Sequence, residues 1–299
     1  MIETNNLEYK IISKKKSIER ELEKVFKALK APKELKDVMV YSVLNGGKRI
    51  RPFLLSEVAE IYHVKPNIYK YPSMAIEIIH SFSLIYDDLP CMDDDKLRRG
   101  KPTVHIAFNE ANALLGGSSL LIYAYELLTS KEFRVSDKIK INLVNRFSKA
   151  IGADGMLAGQ FLDLEAENID FELTLEKFNR IQEKKTSLLL ALCAYTGASL
   201  GKASAKETKL FYNFGIILGK IFQIRDDVLD QEGNEKDMGK EVRKDKKSNK
   251  ATIIRLKNIE YAKKKLQELS EKAKKQLTKI NKNTDTLNTL VDYLIIRKN

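Results

Sequence analysis

Residues 261–280 repeat an apolar side chain every three or four positions: Ala262, Leu266, Leu269, Ala273, Leu277 and Ile280, with lysine and glutamate between them. That is the stripe of an amphipathic helix. Ile18, Leu22, Val25 and Leu29 keep the same spacing. Three other stretches, Ala75 to Ile85, Leu188 to Leu200 and Leu210 to Ile224, are mostly apolar all round and read as central, buried helices. No segment alternates with a period of two between hairpin-turn residues. The pattern therefore predicts an all-α protein of about ten or more helices, in one compact domain spanning 1–299.

Two of the buried-looking stretches run into acid. "HSFSLIYDDLPCMDDD" ends at Asp87, Asp88, Asp93, Asp94 and Asp95; "GKIFQIRDDVLDQEG" holds Asp226, Asp227 and Asp230. Asp226 and Asp230 lie a turn apart on one helix face. In the first motif Pro90 disfavours helical geometry at Leu89, so the helix ends or kinks there and Asp93 turns back toward Asp87. One such motif also fits a solvated helix end. Two of them, each at the end of an apolar helix, call for a neutralising cation. Hard oxygen donors in this number suit Mg²⁺, which keeps several waters and takes one or two carboxylates beside substrate phosphates.

Charge and composition narrow the picture. The chain has 299 residues, 14 Gly and only 6 Pro, which favours helix, and it carries a net charge of +12. The lysine runs read as solvated faces, and without Trp or a basic-aromatic repeat a nucleic-acid groove has little support. Two cysteines, Cys91 and Cys193, make neither a disulfide framework nor a zinc spacing. The N-terminus lacks the apolar stretch of a signal peptide and no apolar run is long enough for a transmembrane segment, so a cytoplasmic protein is expected.

Other basic stretches suit an anion held opposite the metal. "NGGKRIRP" sets Lys48, Arg49 and Arg51 after a Gly-Gly turn; Arg98 and Arg99 follow the first acidic motif; Lys185, Lys240 and Lys250 lie in "EKKTS" and "GKEVRKDKKSNKAT". The combination points to a diphosphate.

These residues carry a resemblance. "GGKRIRP", "EIIHSFSLIYDDLPCMDDDKLRRGKPTVH", "GMLAGQFLDL", "KKTS", "FQIRDDVLD" and "GKEVRKDKKSNKAT", in that order, resemble the trans-polyprenyl diphosphate synthase family, close to its bacterial farnesyl diphosphate synthases. The resemblance implies the isoprenoid synthase fold, roughly ten to thirteen helices around a deep central cavity, usually as a homodimer. It implies three Mg²⁺ ions held by Asp87, Asp88 and Asp93 with Asp226, Asp227 and Asp230. Lys48, Arg51, His80 and Arg99 match the isopentenyl diphosphate site; Arg98, Lys185, Thr186, Gln223, Lys240 and Lys250 match the site of the allylic (dimethylallyl or geranyl) diphosphate. Asp87, Asp93, Asp226, Lys185 and Arg98 would carry the chemistry, with Gln160 and Asp163 in support.

His80 alone on an apolar helix reads as a core residue, but it lies two turns before Asp87 on nearly the same face, as the family role requires. Phe82, about 7.5 Å below Asp87 along the helix axis, with small Ser83 beside it, matches the aromatic that stops growth at farnesyl; as a sequence feature it is also an ordinary core residue. The segment after Lys250 departs from the family pattern: Ile253 and Ile254 stand where an aromatic and a proline are usual, and Lys244 precedes Asp245 where a small residue is common. A geranylgeranyl or geranyl diphosphate synthase shares every motif. A non-catalytic partner subunit would have lost an acidic motif. A basic surface-binding protein would bind without regard to Mg²⁺, and a terpene cyclase would not need the second diphosphate site.

Overall fold

The computed structural model describes residues 2–168, 171–232 and 251–297. Its chain contacts gather into two compact units. One comprises residues 8–56 and 65–144; the other comprises 1–7, 57–64 and 145–299. Among the described residues the secondary structure is helical apart from one two-stranded ribbon, so the all-α expectation holds. Twelve of the described α-helices are eight residues or longer.

The unit holding the first acidic motif is built on α1 (Ile2–Ala28), α2 (Lys33–Leu44), the start of α3 (Ile50–Ile61), α4 (Pro66–Asp87), the short α5 (Val104–Ala107) and α6 (Glu110–Thr129). α4 packs chiefly on α6. Its apolar run is buried as expected, with Ala75, Ile76, Ile78, Ile79, Phe82 and Ile85 nearly inaccessible. The ribbon pairs β1 (Leu97–Arg98) with β2 (Lys101–Pro102). Arg99 and Gly100 between them both have positive φ, 56° and 74°, the backbone of a tight two-residue hairpin turn.

The second unit contains the end of α7 (Asp137–Ile151), then α8 (Met156–Glu165), α9 (Leu175–Gln182), a π-helical turn (Glu183–Ser187), α10 (Leu188–Leu200) and α11 (Ala205–Glu232). α12 (Ile253–Leu256), α13 (Ile259–Leu277) and α14 (Asp285–Ile296) follow. α10 and α13 pack against α11. The stripe read from residues 261–280 is the buried face of α13, whose Ala262 and Ala273 are fully inaccessible; Ile280 is buried just beyond its end. No described helix is long and apolar enough to cross a membrane.

Candidate active site

In the first unit the acidic motif forms where α4 stops. The helix ends at Asp87, and the Asp93 amide turns back to donate to the Asp87 carbonyl at 2.9 Å. Pro90 and the return of Asp93 were both legible in the sequence. The two residues thus sit at one helix end, with half-buried side chains. Asp88 behaves differently. Arg98 Nε donates to both of its oxygens at 2.8 and 2.9 Å, Arg98 Nη2 adds a further bond, and the carboxylate is buried. Nη2 also reaches Asp95 at 3.2 Å. Burial lifts the Asp88 carboxyl above its usual range despite Arg98; burial likewise opposes the charge on Arg98, but Asp88 holds that guanidinium above its own usual value. Asp88 thus holds Arg98 in place at the helix end.

Next to it lies the Gly-Gly turn. Gly46 and Gly47 have φ of 89° and 108°, conformations that side chains rarely adopt. A Cβ on Gly47 would stand 2.7 Å from the guanidinium carbon of Arg99, which lies over the turn and donates to the Gly46 carbonyl. The turn and the ribbon are joined by this contact. Arg49, also at positive φ, points inward: Nη1 donates to Glu77 at 2.6 Å, Nε to Glu19 at 3.1 Å and Nη2 to the Val43 carbonyl at 2.7 Å. It anchors the turn, while Lys48 and Arg51 remain half-buried on either side of it.

His80 lies among these cations. Its pKa is held well below the ordinary histidine value, first by removal from water and then by Arg51, Arg99, Arg98 and Arg49. It is neutral near pH 7. Below about pH 6.5 the unfolded chain takes up a proton that the folded site refuses, so stability falls as pH drops; above that value the contribution is complete. The melting temperature is expected to decline from pH 7 to pH 5, and less steeply in His80→Gln. Identical slopes would remove His80 from the effect.

The second unit carries the other cluster. Lys185 sits in the π-helical turn, a local irregularity that α-helical periodicity does not announce. A Cβ on Gly159 would collide with the Lys185 backbone, so glycine there lets α8 close onto the turn. Lys185 Nζ then donates to Asp163 at 2.5 Å, while neighbouring Gln160 has a buried amide nitrogen with no hydrogen-bond partner. Thr186 donates to Gln223 at 3.3 Å; Gln223 donates to Asp227 at 3.1 Å; Asp227 also accepts from the Ile253 amide at 2.9 Å. The altered segment after Lys250 is thus tied to the acidic motif by a backbone bond that isoleucine supplies, and Thr252 caps α12. Asp227 and Asp230 are buried, and Asp226 is the most open of the three. Lys240, Lys244, Asp245 and Lys250 lie outside the described residues.

Magnesium fits the donor set, which is all carboxylate oxygen. Among the described residues no group of three or more carboxylate, histidine or cysteine side chains forms a cage. Mg²⁺ bound through one or two carboxylates, several waters and substrate phosphate needs none.

A family model described as polyprenyl synthetase matches residues 32–290. The chain belongs to the polyprenyl synthetase family. It is 41% identical to a farnesyl diphosphate synthase of Bacillus subtilis (strain 168), over 98% of this chain and 99% of that protein. Of solved structures, an apo FPP/GFPP synthase from Zymomonas mobilis superposes with a TM-score of 0.86 at 31% identity, over 98% of this chain and 99% of the other. The Helicobacter pylori geranyltransferase, complexed with magnesium and isoprenyl diphosphate, gives 0.82 at 30% identity, over 97% and 96% of the two chains.

Within this polyprenyl synthetase, two positions have roles that no local feature of the sequence announces. Arg297 Nη2 donates to the Phe222 carbonyl at 3.2 Å and to Asp226 Oδ1, its guanidinium lies 4.0 Å from the Phe222 ring centre, and its own carbonyl accepts from Arg225. Nothing in "IIRKN" signals a partner so far back in the chain. Lys48, Arg49 and Arg51 look alike in the sequence as anion contacts; only the acidic partners of Arg49, buried Glu77 and half-buried Glu19, separate its structural role from theirs.

Proposed function

We propose that this chain condenses isopentenyl diphosphate head-to-tail with dimethylallyl or geranyl diphosphate to give farnesyl diphosphate, acting as one domain over 1–299. The observation that carries the reading is the placement of Asp87 and Asp93 at the end of α4, beside Arg98 held on Asp88 and Arg99 held on the Gly-Gly turn. Cations and carboxylates on one helix end suit a diphosphate held on one side by side chains and on the other by Mg²⁺.

In this reading Asp87 and Asp93, with Asp226, Asp227 and Asp230, hold three magnesium ions. When bound, magnesium neutralises charge on the diphosphate oxygens and makes diphosphate a better leaving group. Asp88 positions Arg98. Arg98, whose Nη1 is not engaged by Asp88 or Asp95, joins Lys185, Thr186, Gln223, Lys240 and Lys250 on the allylic diphosphate. These cations take up negative charge as the allylic C–O bond breaks. Lys48, Arg51, His80 and Arg99 hold isopentenyl diphosphate so that its double bond attacks C1 of the allylic cation. A proton then leaves, accepted by the released diphosphate. The apolar side chains of α4 keep water from the cation.

Gly47→Ala is expected to displace Arg99 and strain the turn. The Michaelis constant for isopentenyl diphosphate should rise about tenfold, with kcat less affected, as for lost ground-state binding. Steady-state kinetics with isopentenyl diphosphate varied would show it; an unchanged constant contradicts the placement of Arg99.

Phe82 is buried and its ring lies 4.8 Å from that of Tyr86, whose hydroxyl bonds Ser118 at 2.8 Å. Ser83 bonds back to the His80 carbonyl. We assign Phe82 as the stop for the growing chain, with Ser83 leaving room beside it. Product chromatography tests the function directly: a C15 diphosphate from the wild type and longer products from Phe82→Ala support the reading. C20 as the main wild-type product would favour a geranylgeranyl synthase, and absence of prenyl product would favour a silent subunit. The exposed Leu115 and Ile122 on one face of α6, with Leu114 beside them, support a homodimer, and a cytoplasmic location completes the reading.

A further inference from the structure

A cavity of about 220 Å³ lies wholly within the first unit, where one face of α1 meets the beginnings of α3 and α4. Its inner wall is apolar: Ile18, Pro52, Phe53 and the Tyr69 ring, all but fully buried. Lysines stand at its mouth. Lys14 Nζ donates to the Tyr69 hydroxyl at 3.0 Å, and Lys70 Nζ lies 2.6 Å from Glu21. Glu21 already pairs with Lys24 at 2.6 Å, so one carboxylate serves two ammonium groups. Arg49, which also lines the cavity, is balanced by Glu19 and Glu77. Inside, Ser73 is 2% exposed and its hydroxyl has no hydrogen-bond partner. A buried hydroxyl left unmatched is unfavourable and calls for an acceptor or donor that the protein does not supply.

None of these residues figures in the diphosphate sites described above; Arg49 only anchors the turn beside them. We propose that this cavity is a second ligand site, for a small amphiphilic anion: a phosphate head between Lys14 and Lys70, and a short apolar body against Ile18, Pro52 and Phe53 that carries a polar atom to Ser73. The charge at the mouth selects the head and the apolar wall selects the tail. The volume suits a short chain, not a lipid acyl chain.

n-Hexyl phosphate is a suitable probe, titrated calorimetrically into the full chain with magnesium and saturating inorganic diphosphate present to fill the diphosphate sites. Binding is read without turnover, so its outcome is separate from that of the prenyl-transfer reading. One equivalent should bind, hexanol or inorganic phosphate alone at least about tenfold more weakly. Lys14→Met and Lys70→Met should each weaken binding about tenfold, as for a charge-assisted hydrogen bond. Ser17→Trp, an exposed position at the rim that should not disturb folding, should abolish it. No residual binding in the wild type, or binding that survives Ser17→Trp and both lysine substitutions, overturns the site. An isoprenyl monophosphate in place of the hexyl compound distinguishes a metabolite of the chain's own chemistry from an unrelated alkyl phosphate.

Discussion

Asp87→Asn and Asp226→Asn are each expected to lower kcat by about 10³-fold, with smaller changes in the Michaelis constants. Asparagine keeps the size and one acceptor of aspartate but removes the charge that holds a divalent cation. The lost charge matters most as the leaving diphosphate becomes more negative, so the effect falls on the chemical step. Folding should be little affected. Asp87 is a half-buried helix end, and Asp226 loses one ion pair to Arg297, which keeps its bond to the Phe222 carbonyl and its contact with the ring. A melting temperature close to that of the wild type would show that the loss is catalytic. Asp88→Asn serves as a contrast: it should act through Arg98, with a defect that Arg98→Lys reproduces and that excess Mg²⁺ leaves unchanged. If either the Asp87 or the Asp226 variant keeps kcat within about threefold of the wild type, the proposed role of that motif fails.

The second large effect is on stability. Arg49→Ala is expected to cost about 3–5 kcal/mol, because it strands a buried carboxylate. Glu77 is 3% exposed at its side chain and Arg49 is 1%, with 2.6 Å between them. The same guanidinium ties the Val43 carbonyl to the Gly-Gly turn, so its loss should also loosen Lys48 and Arg51. Arg49→Lys keeps the charge but not the planar fork that serves Glu77, Glu19 and Val43 together, and should fall between. The double variant Arg49→Met, Glu77→Leu removes both charges and should recover much of the loss. Denaturant titration measures all three; a loss below about 1 kcal/mol in Arg49→Ala would contradict the anchoring role.

Much of this molecule is legible in its sequence where the governing physics is local. Apolar spacing located α13 and the buried run of α4. Pro90 ended α4 and set the return of Asp93. What escaped depends on partners far along the chain or on backbone geometry without a periodic signature. Arg98–Gly100 carries no alternation, so the ribbon was missed; an Arg-Gly pair at a tight turn was its only local sign. Lys48, Arg49 and Arg51 are equivalent as charges, and only the positive φ of Arg49 with Glu19 and Glu77 decides which one turns inward. Asp88 reads like its neighbours until Arg98 folds over it. The π-helical turn that carries Lys185 is an insertion in register that an α-helical pattern hides. Arg297 meets Asp226 only after the intervening helices have packed.

The most direct test is an incubation of the chain with isopentenyl diphosphate, geranyl diphosphate and Mg²⁺, followed by separation of the products, with a parallel reaction in excess chelator. Farnesyl diphosphate should accumulate, fall to background with chelator and return when Mg²⁺ is restored. Product formation that ignores the chelator, or no prenyl product in any arm, would contradict diphosphate departure assisted by magnesium on the two aspartate motifs.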